Sequence, residues 1–318
     1  MKIVIPGGTG QIGGILSRAL LAQHHDVVVL SRGGTSDARI VAWDGRTLGP
    51  WTSELDGADA VINLAGRSVN CRYTAANLEA MMSSRVDSTR VVGAAIAAAA
   101  RPPRVWLQMS TATIYAHRLD AANDEATGRI GGDEPGVPAY WKLSVDIARA
   151  WERAQGEAAT PRTRKVALRS AMVMSPDRGG IFDVLLGLAR AGLGGPIASG
   201  QQFVSWIHDR DFARAVALLL ERDDLTGPVN LAAPSPLPQR DFMAALRAAW
   251  GVRLGLPATK WMVGIGAFFL RTDPELTLKS RRVVPGRLLD AGFAFEFPAW
   301  PDAARDLASR RRAAKPAG

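Results

Sequence analysis

Three glycines at intervals of three, Gly7, Gly10 and Gly13, stand where an apolar run ending at Ile5 gives way to a helical pattern. Glycine at the first two places lets the chain turn tightly and lets main-chain N–H groups approach a pyrophosphate; at the third it lets the following helix pack close to the strand. That helix, opening with Gln11 and Ile12, adds the positive end of its dipole. The G-x-x-G-x-x-G spacing alone is a weak signal, and its context is what gives it weight. Ile3 to Ile5 precede the turn, Ile12, Ile15, Leu16, Ala19 and Leu20 follow at helical spacing, and Val27 to Leu30 supplies the next buried strand within the length of a βαβ unit. The expected chemistry is capture of a dinucleotide, with Gly7, Gly10, Gln11, Ile12 and Gly13 around its phosphates.

The end of the second strand bears on which dinucleotide. An acid there would accept hydrogen bonds from ribose hydroxyls and repel a 2′-phosphate, whereas a base would pair with that phosphate. The chain reads Leu30-Ser31-Arg32. NADP(H) is therefore expected before NAD, with Arg32 clamping the phosphate and Ser31 donating a further hydrogen bond. The competing reading of Arg32 is a solvated loop charge. Asp44, after the third strand, is a further candidate contact near the adenine.

Strands and helices must alternate to position these groups, and the pattern predicts that they do. Strands are expected at Lys2 to Ile5, Val27 to Leu30, Ile40 to Trp43, Ala60 to Asn63, Val105 to Met109 and Lys165 to Arg169. A long helix is expected from about Ala75 to Ala99, stopped by Arg101-Pro102-Pro103, and another from about Pro138 to Gln155. Such alternation argues for an α/β fold with a parallel sheet covered on both faces. Past Ser170, glycine and proline clusters such as Gly194-Gly195-Pro196 punctuate shorter elements, as where loops build a substrate lobe beside a rigid sheet. Pro228 to Leu231 reads as a later strand, and Asp211 to Leu220 and Pro238 to Trp250 as helices. The expected division is 1–170 for dinucleotide binding, with later segments returning to it, 171–305 for the substrate lobe and a small C-terminal domain, and 306–318 as a basic tail.

Composition excludes several classes. Cys71 is the only cysteine, so a disulfide framework and a thiolate cluster are ruled out and a reducing, cytoplasmic setting is expected. His24, His25, His117 and His208 never pair at ligand spacing with acids or cysteine, so no metal site is expected. The apolar stretch Trp261 to Leu270 is too short and glycine-broken to span a bilayer, so no membrane partner is expected. The net charge of +9 is partly concentrated in Arg310, Arg311, Arg312 and Lys315, read as a solvated, frayed tail, and no aromatic-and-basic interleaving suggests nucleic acid.

At Gly7 to Gly13, Asn63-Leu64-Ala65-Gly66, Ser110 to Tyr115 and Gly200 to His208 the chain resembles the extended short-chain dehydrogenase/reductases, and more narrowly their atypical epimerase-family branch with a small C-terminal domain of unknown function. Ser84-Arg85-Val86, Trp151-Glu152, Pro228 to Pro234 and Gly292-Phe293 extend the resemblance over almost the whole chain. It implies a Rossmann-type doubly wound parallel sheet with a smaller C-terminal substrate lobe, binding NADP or NAD. It also implies that Asn63, Ala65 and Gly66 line the cofactor near its ribose, with Asn63 alternatively a strand-end turn residue.

Members of that family that move a hydride use a Ser or Thr with a Tyr that has a Lys four residues later. One helical turn brings that Lys beside the phenol and lowers its pKa. Thr111 fits the Ser/Thr slot, lying four residues before Tyr115, but no Tyr has the Lys: Tyr73 is followed by Asn77, Tyr115 by Leu119 and Tyr140 by Ser144. Tyr140 at the helix start, Tyr115 after the fifth strand and His117 are the candidates for the missing acid. By the same resemblance Gln201, Gln202, Ser205, Trp206 and His208 border the substrate pocket; a core Trp206 and a structural His208 are the alternatives. Arg85 either faces the pocket or pairs with Glu79 or Asp87. The expected function is that of an NADP(H)-dependent oxidoreductase or epimerase-like enzyme on a small polar substrate, sugar-derived compounds included, or else of a non-catalytic NADP(H) sensor. A homodimer through the long helix is also expected.

Overall fold

The computed structural model describes residues 1–138, 140–259 and 275–314. Its main sheet begins with β1 (Lys2–Pro6), β2 (Asp26–Ser31), β3 (Arg39–Ala42), β4 (Ala60–Asn63), β5 (Val105–Thr111) and β6 (Arg164–Ser170). Three short strands follow, β7 (Met172–Met174), β8 (Phe203–Val204) and β9 (Trp206–His208), before β10 (Gly227–Leu231) returns to the sheet and β11 (Leu237–Pro238) pairs with β8. The sheet order is β10-β6-β5-β4-β1-β2-β3, all neighbours parallel. That is the α/β, Rossmann-type arrangement expected from the alternation. The order reverses between β1 and β4, which opens a crevice at the carboxyl ends of those strands.

The longer helices are α1 (Gln11–Ala22), α2 (Ala75–Ala98), α3 (Trp141–Gly156), α4 (Ile181–Arg190), α5 (Asp209–Glu221), α6 (Gln239–Trp250) and α7 (Trp300–Ala313). Alternate strand residues serve opposite faces, as the period of two requires. Ile3, Ile5, Val27, Val29 and Leu107 pack with Leu16 of α1 and Phe212 and Leu219 of α5. Val4, Val28, Val61 and Trp106 pack with Val92 and Ile96 of α2 on the other face. Thr74 caps α2 by accepting from the Asn77 N–H, and the helix ends before Pro102-Pro103. Close packing explains Gly93 within α2, since a Cβ there would lie 2.8 Å from the Ala158 methyl. α3 starts at Trp141 rather than Pro138, because the Pro138 carbonyl accepts from the Trp141 N–H in a turn ahead of the helix.

The smaller lobe has its own core of Phe182, Trp206, Phe242, Leu246, Trp300 and Leu307. Trp300 stacks on Phe242 with ring centres 4.0 Å apart, meets Trp206 at 5.0 Å and donates its indole N–H to the Phe242 carbonyl. The basic run expected as a frayed tail is instead the last turn of α7. Arg310 grips Asp209 at 2.8 Å and Asp306 at 3.2 Å, Arg311 reaches Asp183 at 2.7 Å, and Arg312 lies over the Trp250 ring. Buried Leu307 and Ala308 anchor the helix, and cations in its last turn complement its dipole. Lys315 and the apolar stretch Trp261 to Leu270 lie outside the described residues. No described helix is long and apolar enough to cross a membrane.

Candidate active site at the carboxyl ends of the strands

The β1–α1 turn is shaped by contacts that only glycine permits. Gly7 has φ +77°, and a Cβ there would fall 2.6 Å from the Ala65 Cα; one on Gly13 would fall 2.1 Å from the Gly8 carbonyl oxygen. Gly10 differs: it begins α1 with no protein atom within 4 Å of where its Cβ would be. No side chain caps α1 and no acid lies in its first turn. The Gln11 side-chain amide nitrogen beside Gly180 is buried without a hydrogen-bond partner. An open cradle, an uncapped helix start and a buried donor lacking an acceptor fit an anionic group such as a pyrophosphate.

At the second strand, Arg32 is exposed and makes no ion pair among the described residues, so its guanidinium is available to a 2′-phosphate. Ser31 is used differently from the expectation. Its hydroxyl donates to the Gly33 carbonyl and lies 2.9 Å from the Thr9 hydroxyl, so it shapes the loop and has no proton left for a phosphate. Asp44 accepts from Arg46 and Thr47 within its own loop, bonds from Thr47 above all holding its carboxyl down at about 2.

Asn63 takes the turn role. It is fully buried, donating to Gln108 at 3.0 Å and accepting from the Ala65 N–H at 3.1 Å. It thereby fixes Ala65 against Gly7 and aims Gly66 at Arg85, whose Cζ would lie 3.3 Å from a Cβ on Gly66. Arg85 pairs with neither Glu79 nor Asp87.

At the end of β5, the Thr111 hydroxyl oxygen accepts from the Thr113 N–H at 3.1 Å. This orients the oxygen and leaves its proton undonated to any described group. Thr113 in turn receives the Arg281 Nε on its hydroxyl at 3.1 Å and the Lys279 ammonium on its carbonyl at 3.0 Å. Lys279 lies 3.6 Å from Glu275, which also accepts from the Ser144 hydroxyl at 2.6 Å. Ser144 is the residue four after Tyr140, where the resemblance calls for a lysine. The structure therefore brings a buried lysine and a half-buried arginine to the Thr111 turn from more than 160 residues downstream. Burial pushes the pKa values of both down from their usual ranges. Neither was singled out from sequence; the available signal was a dense basic triplet, Arg281-Arg282 after Lys279, leading into Val283-Val284.

Of the three candidate acids, Tyr140 is the one at the surface, 39 % exposed at the start of α3. Tyr115 is withdrawn from the catalytic set. Its hydroxyl donates to Asn230 at 2.9 Å and accepts from Arg169 at 3.0 Å, it is 2 % exposed, and burial raises its pKa. His117 serves as a strut: its Nδ1 accepts from the Ser280 N–H, and its main-chain N–H donates to Glu134.

The segment expected to border the substrate faces the small lobe instead. Trp206 is fully buried in that lobe's core, and Ser205 accepts from the Val283 N–H and donates to the Arg281 carbonyl. Gln201 is exposed on a loop and Gln202 holds the Ile197 carbonyl. His208 is fully buried, stacks on Phe297, meets Asp306 through Nε2 at 3.0 Å and caps α5 through Nδ1. The physical reason is the arrival of α7 and residues 280–284, which offer these side chains closer partners than a crevice would.

His208 yields a pH prediction. Burial lowers its pKa more strongly than Asp209 and Asp306 raise it, so the folded chain holds it neutral while the unfolded chain protonates near its ordinary value of 6.5. The unfolded state thus binds more protons just below that value, and this stabilising contribution, full above it, is lost as the pH falls. The urea midpoint is expected to drop as the pH falls below about 6.5, and this dependence to flatten in His208→Gln. An equally steep dependence in the variant would rule this out.

Comparison with known proteins agrees with this geometry. Residues 3–232 match the profile of the NAD dependent epimerase/dehydratase family, and residues 259–307 match a domain of unknown function, DUF1731. The chain is 35 % identical over 302 residues to the epimerase family protein SDR39U1 of Bos taurus, covering 94 % of this chain and 96 % of that one. It is 31 % identical over 299 residues to the epimerase family protein Mb2239 of Mycobacterium bovis, covering 92 % and 93 %. Among solved structures, human epimerase family protein SDR39U1 (isoform2) with NADPH superposes with a TM-score of 0.84 at 31 % identity, covering 97 % of this chain and 99 % of that one.

Proposed function

The chain belongs to the NAD dependent epimerase/dehydratase family, and from that premise we propose that it is an NADP(H)-dependent oxidoreductase or epimerase-like enzyme acting on a small polar substrate. The observation that carries the reading is the open cradle at Gly10 together with an exposed Arg32 that makes no ion pair among the described residues. Gly7, Gly10, Gln11, Ile12 and Gly13 would hold the pyrophosphate, Arg32 the 2′-phosphate, and Ala65 with Gly66 the wall beside the ribose. The NADPH in the human relative's structure supports the choice of nucleotide. When bound, that nucleotide supplies a hydride or accepts one.

The chain's own part is proton handling and charge. Thr111, oriented by the Thr113 N–H, can donate its proton to a substrate oxygen, while Lys279 and Arg281 set positive charge beside the same turn. Tyr140 is the second proton-transfer candidate. One observation favours a different reading: Ser144 and Glu275 stand where a Tyr/Lys pair would need its cation, which suits a protein that binds NADP(H) and senses it without turnover.

Purified chain incubated with NADPH and a panel of carbonyl compounds and nucleotide sugars separates the two. Loss of reduced-nicotinamide absorbance, abolished in Thr111→Ala, is the result expected of the enzyme; tight binding with no turnover across the panel assigns the sensor. For the nucleotide, Arg32→Ala is expected to weaken NADPH binding about 10- to 100-fold and NADH binding by less than about twofold, the size of a lost charge-assisted contact. A variant that keeps the parent's preference for NADPH would overturn the role given to Arg32.

A further inference from the structure

We propose that Arg85 is an anion-binding residue of the substrate pocket, taking a carboxylate or phosphate oxyanion of the molecule handled there; the assignment rests on the functional reading just given. Arg85 is 9 % exposed, with one guanidinium nitrogen donating to the Met81 carbonyl at 3.0 Å, and its Nε and second nitrogen donate to no described group. No carboxylate of the described residues pairs with it; Asp87, the nearest acid in sequence, faces Arg46 instead. Its neighbour across the helices is a ring, Trp151, with the guanidinium carbon 4.9 Å from the centroid.

Within the same protein the contrast is direct. The next residue on α3, Glu152, meets another buried arginine, Arg169, with two bonds of 2.9 and 2.8 Å. Among the described residues the fold thus supplies a carboxylate for one buried guanidinium and none for the other. A buried charge lacking a counter-ion is costly, and the cost is removed when an oxyanion docks on it. Burial lowers the Arg85 pKa to about 10, so the group is still charged at neutral pH.

Position ties Arg85 to the pocket. Gly66, which packs on the guanidinium, follows Ala65, which backs Gly7 of the dinucleotide turn. Tyr73 lies within electrostatic reach of both Arg85 and Arg281, and Arg281 touches Thr113 beside Thr111. Arg85 therefore stands between the dinucleotide turn and the Thr111 turn, its planar fork suited to two oxygens of one group.

Thermal melts of the full chain, wild type against Arg85→Met, test this with inorganic phosphate or malonate titrated with and without saturating NADPH. The wild type is expected to gain stability with one of the two anions, which tells phosphate from carboxylate, and Arg85→Met to need about tenfold more of it or not to respond. Without anion, Arg85→Met is expected to melt at or above the wild-type temperature, because an unpartnered charge has been replaced by an apolar stem. Its NADPH affinity by calorimetry is expected to stay within about threefold of wild type. Should the methionine variant not fold, Arg85→Lys is expected to keep a weakened response.

A wild type indifferent to both anions, or an unchanged response in the variants, overturns the proposal. A loss of NADPH affinity of about tenfold or more overturns it as well, and assigns Arg85 to the nucleotide's own diphosphate. Failure of the wild type to bind NADPH, with an Arg85-dependent anion response intact, would instead sink the nucleotide reading and leave the anion site standing.

Discussion

Gly10→Ala is expected to leave the chain folded and to weaken NADPH binding on the order of 100-fold. The backbone at this position, φ −79° and ψ 175°, suits alanine as well as glycine, and no protein atom lies within 4 Å of the new methyl. Losing glycine at the start of α1 costs about 1 kcal/mol of stability at most. The methyl instead fills the space where phosphate oxygens would meet the first N–H groups of the helix, and two charge-assisted bonds there account for the fold-change. Calorimetric titration beside urea unfolding separates the two effects. A folded variant with parental affinity would show that the cradle holds something other than a pyrophosphate. Gly13→Ala provides the opposite control, since its Cβ would sit 2.1 Å from a main-chain oxygen and the turn itself must give way.

Glu152→Ala is expected to cost about 3–5 kcal/mol of folding stability, the largest loss anticipated for a side chain outside the glycine turn. Glu152 accepts two bonds from Arg169 and one from Ser110, and both charged side chains are largely buried, 17 % and 11 % exposed. Arg169 continues the network to Tyr115, and Tyr115 to Asn230 on β10. Burial works against the Arg169 charge, yet its bonds to Glu152 and Tyr115 hold the guanidinium more firmly protonated than usual. Removing the carboxylate leaves that charge enclosed without a partner, whereas Glu152→Gln keeps one acceptor and is expected to lose less. Urea unfolding followed by tryptophan fluorescence measures the difference, and a loss below about 1 kcal/mol for the alanine variant would mean that water replaces the carboxylate at no cost.

The sheet was legible because its signals are local. Val27 to Leu30 and Ala60 to Asn63 are short apolar runs bounded by breakers, and the glycines of the first turn sit in a context no other element shares. The half of the site that was missed depends on contacts between distant segments. Nothing near Lys279 or Arg281 in sequence announces that they will meet Thr113, and nothing near Trp206 or His208 says whether an aromatic and an imidazole will line a crevice or a lobe core. That choice is made by Trp300 and Asp306 on α7. The basic run after Leu307 was misread for the same reason: its carboxylate partners, Asp183 and Asp209, come from two other helices.

Residues 280–284 run between the Asn123 loop and β8, with Asn123 and Phe203 bonding to them from either side. Every strand of the sheet precedes this segment in the chain, so the elements that hold the nucleotide turn are specified upstream of the residues that bring positive charge to the Thr111 turn. A chain cut short before Lys279 would carry the nucleotide turn without the cations beside Thr111.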